Sequence, residues 1–557
     1  MPPPPSPLTA PTGERAKAFG AFYTGAAVAD FVVRWALRRG SDRVLDPSFG
    51  GGVFLAAALA RLEALGGGAG GVYGAELDGA VHARVSGALP VAPRQLLRAD
   101  FFDLSPTDLP PLDAVVGNPP FIRYQRLGRE ARKKAALRAL EAGVALSDLA
   151  SSWAAFVVHS AAFLRPGGRL GMVLPAELGH AGYARPVLAH LSRTYRRVTL
   201  LTFQERLFPE LSQDTLLLLA EDKGAPFEGF FWRDVARVAD LATPLPLEPT
   251  ERLPEAPLLE GREKLVTRFV PAAARELYRE LAQHPAVTRL GALAEVGIGY
   301  VTGANGFFHL APERARALGL PAAHLQRAVF RGAALSGLRF GEADWHGAAR
   351  WGHAGYVLHV TGDDVEVSDL APALRAYLEA GAAQGVPRAY KCRTRTPWYR
   401  VPHVSAPDAF LTYMSGARPQ LVANAAGAAA PNTLHVVRLR PQANVSATAL
   451  AALWQSSLTR LSAELEGHAL GGGMLKLEPR EARRVLVATP EVSTGLTEEL
   501  DELLWQGRTD EVQTIVDKVL LQYALGLSAK ACTLLKHAAC TLRHRRYYRN
   551  RPPSQIE

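Results

Sequence analysis

Between Phe19 and Glu221 short apolar runs alternate with amphipathic stretches of helical period, and few folds accept that pattern. A short apolar run followed by a helix-length stretch is the repeating unit of a parallel sheet, whose strands are buried on both faces by crossover helices. The pattern predicts strands over Arg43–Leu45, Gly71–Ala75, Ala114–Val116, Arg169–Leu174, Arg197–Thr202 and Thr215–Ala220. Helices are predicted near Ala26–Arg38, Gly52–Glu63, Ala131–Glu141 and Ser151–Phe163, the last closed by the proline and glycines of Phe163–Gly168 just ahead of a strand.

With 557 residues the chain exceeds one ordinary domain. Residues 1–18 are proline-rich and read as a disordered tail; Thr243–Pro257, also proline-rich, reads as a linker. Residues 258–490 lose the regular period and carry many glycines and aromatics, with strand-like runs such as Thr433–Leu439. Helical pattern returns over 494–557 and ends in the basic run RHRRYYRNR. The expected fold class is therefore α/β over 19–245, then a mixed α+β domain over 258–490, then a helical basic tail.

Lys plus Arg outnumber Asp plus Glu by 63 to 53, a balance that suits a polyanionic partner. Three cysteines, Cys392, Cys532 and Cys540, lack the clustered spacing of a zinc site or a disulfide framework, so no metal is expected. The N-terminus has no apolar core for a signal peptide, and no apolar stretch reaches membrane-spanning length. A cytoplasmic protein without a membrane partner is the expectation.

Four motifs carry the chemistry. In VLDPSFGGGVFL, Val44–Leu55, a strand runs into Asp46 and a glycine-rich turn opens a helix, an arrangement shared with dinucleotide enzymes. The next strand ends at Glu76, placed to accept hydrogen bonds from the hydroxyls of a ribose. Asp100, after another apolar run, can accept from an adenine amino group, with Phe101 able to stack on the ring. The fourth decides between the readings: VVGNPPFIRY, Val115–Tyr124, puts Asn-Pro-Pro-Phe directly after a buried strand.

An exocyclic base amine is a weak nucleophile because its lone pair is delocalised into the ring. A site that activates it must hold both N–H bonds, so that nitrogen becomes tetrahedral as it attacks. The side-chain oxygen of Asn118 and the carbonyl of Pro119 are two such acceptors, and Pro119 and Pro120 fix φ without adding a competing N–H. Phe121 can stack on a base that has left the duplex.

In this order the motifs resemble the gamma class of amino-methyltransferases, the TaqI-like adenine-N6 DNA methyltransferases. The resemblance covers about residues 19–490 and implies a Rossmann-like class I S-adenosylmethionine-dependent domain followed by a target-recognition domain. It implies that Tyr23 and Thr24 belong to an N-terminal cofactor segment, with Gly25 where a proline is usual. It assigns the methionine part of the cofactor to Asp46, Pro47, Ser48, Gly50 and Gly52, the ribose to Glu76, and the adenine site to Asp100 with Phe101. Catalysis falls to Asn118, Pro119, Pro120 and Phe121, with Phe208 as a second aromatic on the flipped base. Val296–Leu310 and Leu465–Pro479 resemble segments of the family's recognition domains.

Arg123, Lys391, Arg393, Arg395 and Lys476 are candidate DNA contacts, because basic residues there mix with glycine, threonine and aromatics. The resemblance implies S-adenosylmethionine as cofactor, double-stranded DNA as partner and a monomer, within a restriction-modification or phage-defence setting that can include a companion restriction endonuclease. His159 and His180 read as structural. Cytosine-N4 methylation is the main alternative, and a protein-glutamine or RNA methyltransferase stands behind it. A bifunctional restriction-modification subunit is disfavoured: no Asp…Glu-x-Lys run makes a convincing nuclease cluster, and the cofactor segment begins near residue 19.

Overall fold

The computed structural model describes residues 24–548 apart from Leu149, His180, Arg206, Arg262 and the segments 209–213, 242–249 and 361–369. Tyr23, His180, the N-terminal tail and residues 243–249 of the proline-rich linker lie outside the described residues. The described residues form two compact units, one up to Thr267 and one over Arg268–Tyr548.

The first unit is built on nine strands: β1 (Val44–Asp46), β2 (Val72–Glu76), β3 (Leu96–Arg98), β4 (Leu112–Gly117), β5 (Leu164–Pro175), β6 (Tyr195–Phe203), β7 (Thr215–Lys223), β8 (Gly229–Val235) and β9 (Glu251–Leu253). Their order is β3-β2-β1-β4-β5-β7-β6-β8-β9. The first five run parallel, and β7 is antiparallel to both β5 and β6. This is the Rossmann-like class I sheet that the sequence implies. From β1 the chain builds outward to β3, then returns to β4 on the other side of β1, so the strand order switches there. In open α/β sheets ligands bind outside the carboxyl ends of the strands at such a point.

The helices follow the period that their residues set. In α1 (Ala26–Ala36), Val28, Phe31, Val32 and Ala36 recur on one face and are buried together with Phe54, Leu55, Ala58 and Leu62 of α2 (Val53–Ala64). α3 (Gly79–Ala88) begins at Asp78, whose carboxylate caps the N–H groups of Ala80 and Val81 at 2.8 and 3.2 Å. α4 (Arg129–Glu141) follows the catalytic-type motif, and α5 (Ser152–Phe163) is buried almost all round, as its largely apolar sequence, interrupted only by Ser152, His159 and Ser160, demands.

Three readings of the sequence are corrected. The Pro-Gly-Gly after Phe163 does not separate helix from strand: β5 starts at Leu164. The pairing with β4 jumps from Leu112↔Leu164 to Ala114↔Arg169, so these residues form a bulge, with Gly167 at φ 76° and Arg165 Nε held by Asp113 at 2.6 Å. The sheet also extends past the linker boundary, because Glu251–Leu253 pairs antiparallel with β8; prolines are tolerated beside an edge strand. Finally, the helices from Thr494 onward are not a separate extension.

The second unit has a five-stranded sheet, ordered Ala294–Ile298, Leu434–Leu439, Ala409–Thr412, Leu421–Asn424 and Arg339–Phe340, and smaller sheets beside it. Leu500, Leu503, Leu504, Val512, Val516 and Leu520 of the C-terminal helices share one core with Ala294, Val296, Leu411 and Val437 of that sheet. The last helix, Ala529–Tyr548, is tied in by charge. Arg546, 2% exposed at its side chain, grips Glu464 with Nη2 and Nε at 2.7 and 3.1 Å, and its Nη1 reaches the carbonyl of Gly416 at 2.6 Å. Removing one member of such a buried pair strands the other charge. Arg546→Met should cost the second unit about 3–5 kcal/mol in urea unfolding, with much of it recovered in the double variant with Glu464→Met; an unchanged midpoint would refute this role for the pair.

Candidate active site

The carboxyl ends of β1, β2, β3 and β4 open into one cavity of about 340 Å³, in the size range of small-molecule sites. Each strand delivers one polar side chain to it: Asp46, Glu76, Asp100 and Asn118. Pro47, Ser48 and Gly50 line it too, with Thr24 from the segment before α1.

Asp46 is 1% exposed and accepts a hydrogen bond from Ser48 N at 3.1 Å. A Cβ on Gly117 would lie 2.9 Å from Asp46 Oδ1 and 3.3 Å from Pro47 Cδ, so only glycine lets the end of β4 close onto β1. Burial, helped by the nearby charge of Glu76 and opposed by the Ser48 N–H, pushes the Asp46 carboxyl up to about 8. The glycine-rich turn is tied to β2 by Glu76, which accepts from Gly50 N and Asp78 N, both at 2.9 Å. Each carboxylate oxygen has a second lone pair for a hydroxyl. Gly52 is not on the wall. It caps α2 at φ 77°, and a Cβ there would meet Val85 Cγ1 at 2.8 Å; Gly51 lines the cavity instead.

At β3, Asp100 accepts from Phe102 N at 3.0 Å, with Lys134 Nζ 3.9 Å away. Phe101 reaches the cavity wall, yet it is 2% exposed and packed against Phe156, His159 and Phe163 at centroid distances of 5.3, 4.7 and 5.3 Å. The ring is thus mostly core, and Phe102 shares the wall with it. His159 sits inside this cluster with Nε2 3.1 Å from the Leu104 carbonyl, and burial lowers its pKa to about 4.

At β4, Asn118 Nδ2 lies 3.2 Å from Thr24 Oγ1 and donates to it, tying the amide to the segment before α1. Pro119 is buried and Pro120 lines the cavity. Phe121 and Phe208 do not line it. Phe208 is 3% exposed within the first unit's core, and Phe121 packs partly buried against the same core.

The five basic residues divide. Arg123 is exposed, 3.8 Å from Glu177. Lys391 and Arg393 are exposed beside the ring of Tyr390, at 5.5 and 5.2 Å. Arg395 is committed to the scaffold instead, half-buried and donating to the carbonyls of Thr302, at 2.8 Å, and Val301. Lys476 is ion-paired to Glu478 at 2.5 Å over the ring of Tyr413.

The sequence reading missed Leu77, Ala80, Val81 and Arg84 on the wall after β2, and Ile122 and Ser152 beside the catalytic-type loop. Leu77 could have been found as the apolar residue following the acidic strand end. Arg84 and Ser152 carried no signal, since a helix arginine and an N-terminal serine are usual at such places.

Whether a charged, nucleoside-containing cofactor fits can be tested on the polar atoms. Ser48 Oγ and the Nε and Nη2 atoms of Arg84 are buried at the wall without a hydrogen-bond partner among the described residues. A ligand with acceptors and donors satisfies them, and carboxylates at three adjacent strand ends match an ammonium, a ribose and an aminopurine. The fit is good.

Residues 8–185 match the family model described as N-6 DNA Methylase, and residues 262–521 match the C-terminal domain of the type II methyltransferase M.Eco57I. The chain belongs to the gamma-class N-6 DNA methylases. It is an adenine-specific DNA methyltransferase. Type II methyltransferase M.XamI of Xanthomonas campestris pv. amaranthicola is 25% identical to it over 512 residues, 86% of this chain and 87% of that protein. Among solved structures, the type IIG restriction endonuclease BpuSI aligns at TM-score 0.41 and 15% identity, over 98% of this chain and 67% of that one. The DrdV–DNA complex aligns at TM-score 0.46 and 11% identity, over 79% of this chain and 52% of the other.

The raised carboxyl of this DNA methylase has a thermodynamic signature. Ligand-free, folded Asp46 holds its proton more tightly than the unfolded chain does, so its stabilising contribution is complete below about pH 4 and is lost as pH rises through about 8. The melting temperature of the ligand-free protein should fall across that window, and the fall should flatten in Asp46→Asn. Parallel curves for the two proteins would refute the assignment.

Proposed function

We propose that the chain transfers the methyl group of S-adenosylmethionine to N6 of an adenine flipped out of duplex DNA, as a site-specific modification enzyme of a restriction-modification system. The observation that carries this reading is the juxtaposition of Asn118-Pro119-Pro120 with Asp46, Glu76 and Asp100 around one cavity at the switch point of the sheet.

Asp46, Pro47, Ser48 and Gly50 hold the methionine part, where the buried Asp46 carboxyl becomes an anion opposite an ammonium. Glu76 takes the ribose hydroxyls; Asp100, with Phe101 and Phe102 behind it, takes the adenine. Arg84 satisfies its buried nitrogens on the nucleoside end. The bound cofactor supplies an electrophilic methyl on a sulfonium, so the protein needs to contribute position and charge complementarity rather than a nucleophile of its own.

Thr24 sets the Asn118 amide so that its oxygen accepts one amine N–H, and the Pro119 carbonyl accepts the other. Both bonds strengthen as positive charge develops on nitrogen, which places their contribution in the transition state. The proton leaves for water once nitrogen has been methylated, because the alkylated amine is strongly acidic. Phe121 stacks on the extruded base, and Phe208 supports it from the core that both share. The second unit serves as the target-recognition domain, where exposed Lys391 and Arg393 meet phosphates and Arg123 does so from the first. Arg395 and Lys476 act there by shaping the surface.

Methyl transfer from labelled S-adenosylmethionine to duplex DNA, followed by nucleoside analysis, tests the reading. N6-methyladenine is expected; N4-methylcytosine would overturn the choice of base, and label in protein or RNA alone would overturn the substrate. Asn118→Ala should lower single-turnover transfer by a factor on the order of a hundred or more while product-cofactor affinity in calorimetry stays near wild type. Arg84→Met should do the reverse, weakening S-adenosylhomocysteine binding about tenfold. Equal cofactor affinity in the Arg84 variant would refute its role.

A further inference from the structure

The catalytic-type loop has a difficulty of its own making. Pro119 and Pro120 have no N–H, so the backbone that must present the Pro119 carbonyl and the Phe121 ring cannot brace itself with those donors. The bracing comes from the start of α5. Ile122 N donates to Ser152 Oγ at 3.0 Å, and the same hydroxyl donates to the carbonyl of Pro120. Ser152 N and Ser151 Oγ both donate to the carbonyl of Ile122, at 2.8 and 3.2 Å. Tyr124 N reaches the carbonyl of Ala150 at 2.9 Å, completing a short antiparallel bridge between Arg123 and Ser151.

One hydroxyl therefore spans Phe121, accepting on its C-terminal side and donating on its N-terminal side. Only a side chain that is donor and acceptor at a single atom can do this, and Ser152 is 2% exposed. We propose that Ser152 is the positioning residue of the methyl transfer: its hydroxyl, bonded at once to Pro120 O and Ile122 N, sets the backbone that carries the Pro119 acceptor and the Phe121 ring. Its role rests on the adenine-methylating reading above. It acts through the loop and makes no bond to the base.

The test compares Ser152→Ala with Ser152→Thr in the full chain, at saturating cofactor and DNA. Ser152→Ala loses both bonds and should slow single-turnover methylation at least about tenfold, while S-adenosylhomocysteine affinity and DNA affinity change less than about twofold. Ser152→Thr keeps the hydroxyl and should restore the rate to within about threefold of wild type. With 2-aminopurine in place of the target adenine, the Ala variant should show a smaller flipped-base fluorescence change than wild type and the Thr variant a similar one.

A wild-type rate in Ser152→Ala would overturn the proposal. So would parallel losses of rate, cofactor affinity and melting temperature, which mark a merely structural serine. If Ser152→Ala does not fold, Ser152→Cys, with a weaker donor and acceptor at the same place, is read by the same criteria. Absence of N6-methyladenine with the wild-type protein would instead strike the underlying reading.

Discussion

Everything in the first unit depends on how closely β1 and β4 approach at their carboxyl ends. Asp46 and Gly117 are adjacent there, and the space between the carboxylate and the glycine is too small for a methyl group. That approach buries Asp46, and burial raises its pKa and stores the demand for a cation that a charged cofactor meets. The same approach brings Asn118, the residue after Gly117, to the rim of the cavity begun by the glycine-rich turn. In the proposed reading, cofactor site and target site are joined by one strand contact rather than by a long relay.

Backbone N–H groups hold the remaining carboxyl groups in place. Glu76 is fixed by Gly50 and Asp78, Asp100 by Phe102, and Asp78 caps α3. Carboxylates so bonded keep their geometry before any ligand arrives, which is the preorganisation that lets binding energy be used in the transition state. The loop Pro119–Ile122 is held in the opposite way, by side chains of α5, because its prolines offer no donors.

Much of this was legible in the chain. Alternating apolar runs placed the strands near β1, β2, β4, β5, β6 and β7 and the first helices to within a few residues, since strands buried on both faces read as short apolar runs; the antiparallel course of β7 carried no such signal. The motifs located Asp46, Glu76, Asp100 and Asn118, all of which meet in one cavity. Other features were not legible. The bulge after Phe163 has the composition of a turn, and the edge strand Glu251–Leu253 lies in a proline-rich stretch. Basic residues look alike in sequence, yet Arg395 and Lys476 are bonded within the chain while Lys391 and Arg393 face solvent. The terminal helices read as an appendage because their partners, such as Glu464 for Arg546, lie far away in sequence.

The sequence by itself determined the chemistry: an Asn-Pro-Pro-Phe after a buried strand can accept an amine's hydrogens, and acids at strand ends can meet a nucleoside. These are local properties, set by residue type and spacing. Tertiary structure alone decided which side chains share a wall and which are core. Phe101 and Phe208 became packing, Arg84 and Ser152 became lining, and the last helices became part of a domain. Those outcomes turn on contacts between segments distant in the chain, where the balance of burial and hydrogen bonding is settled only once both segments are in place.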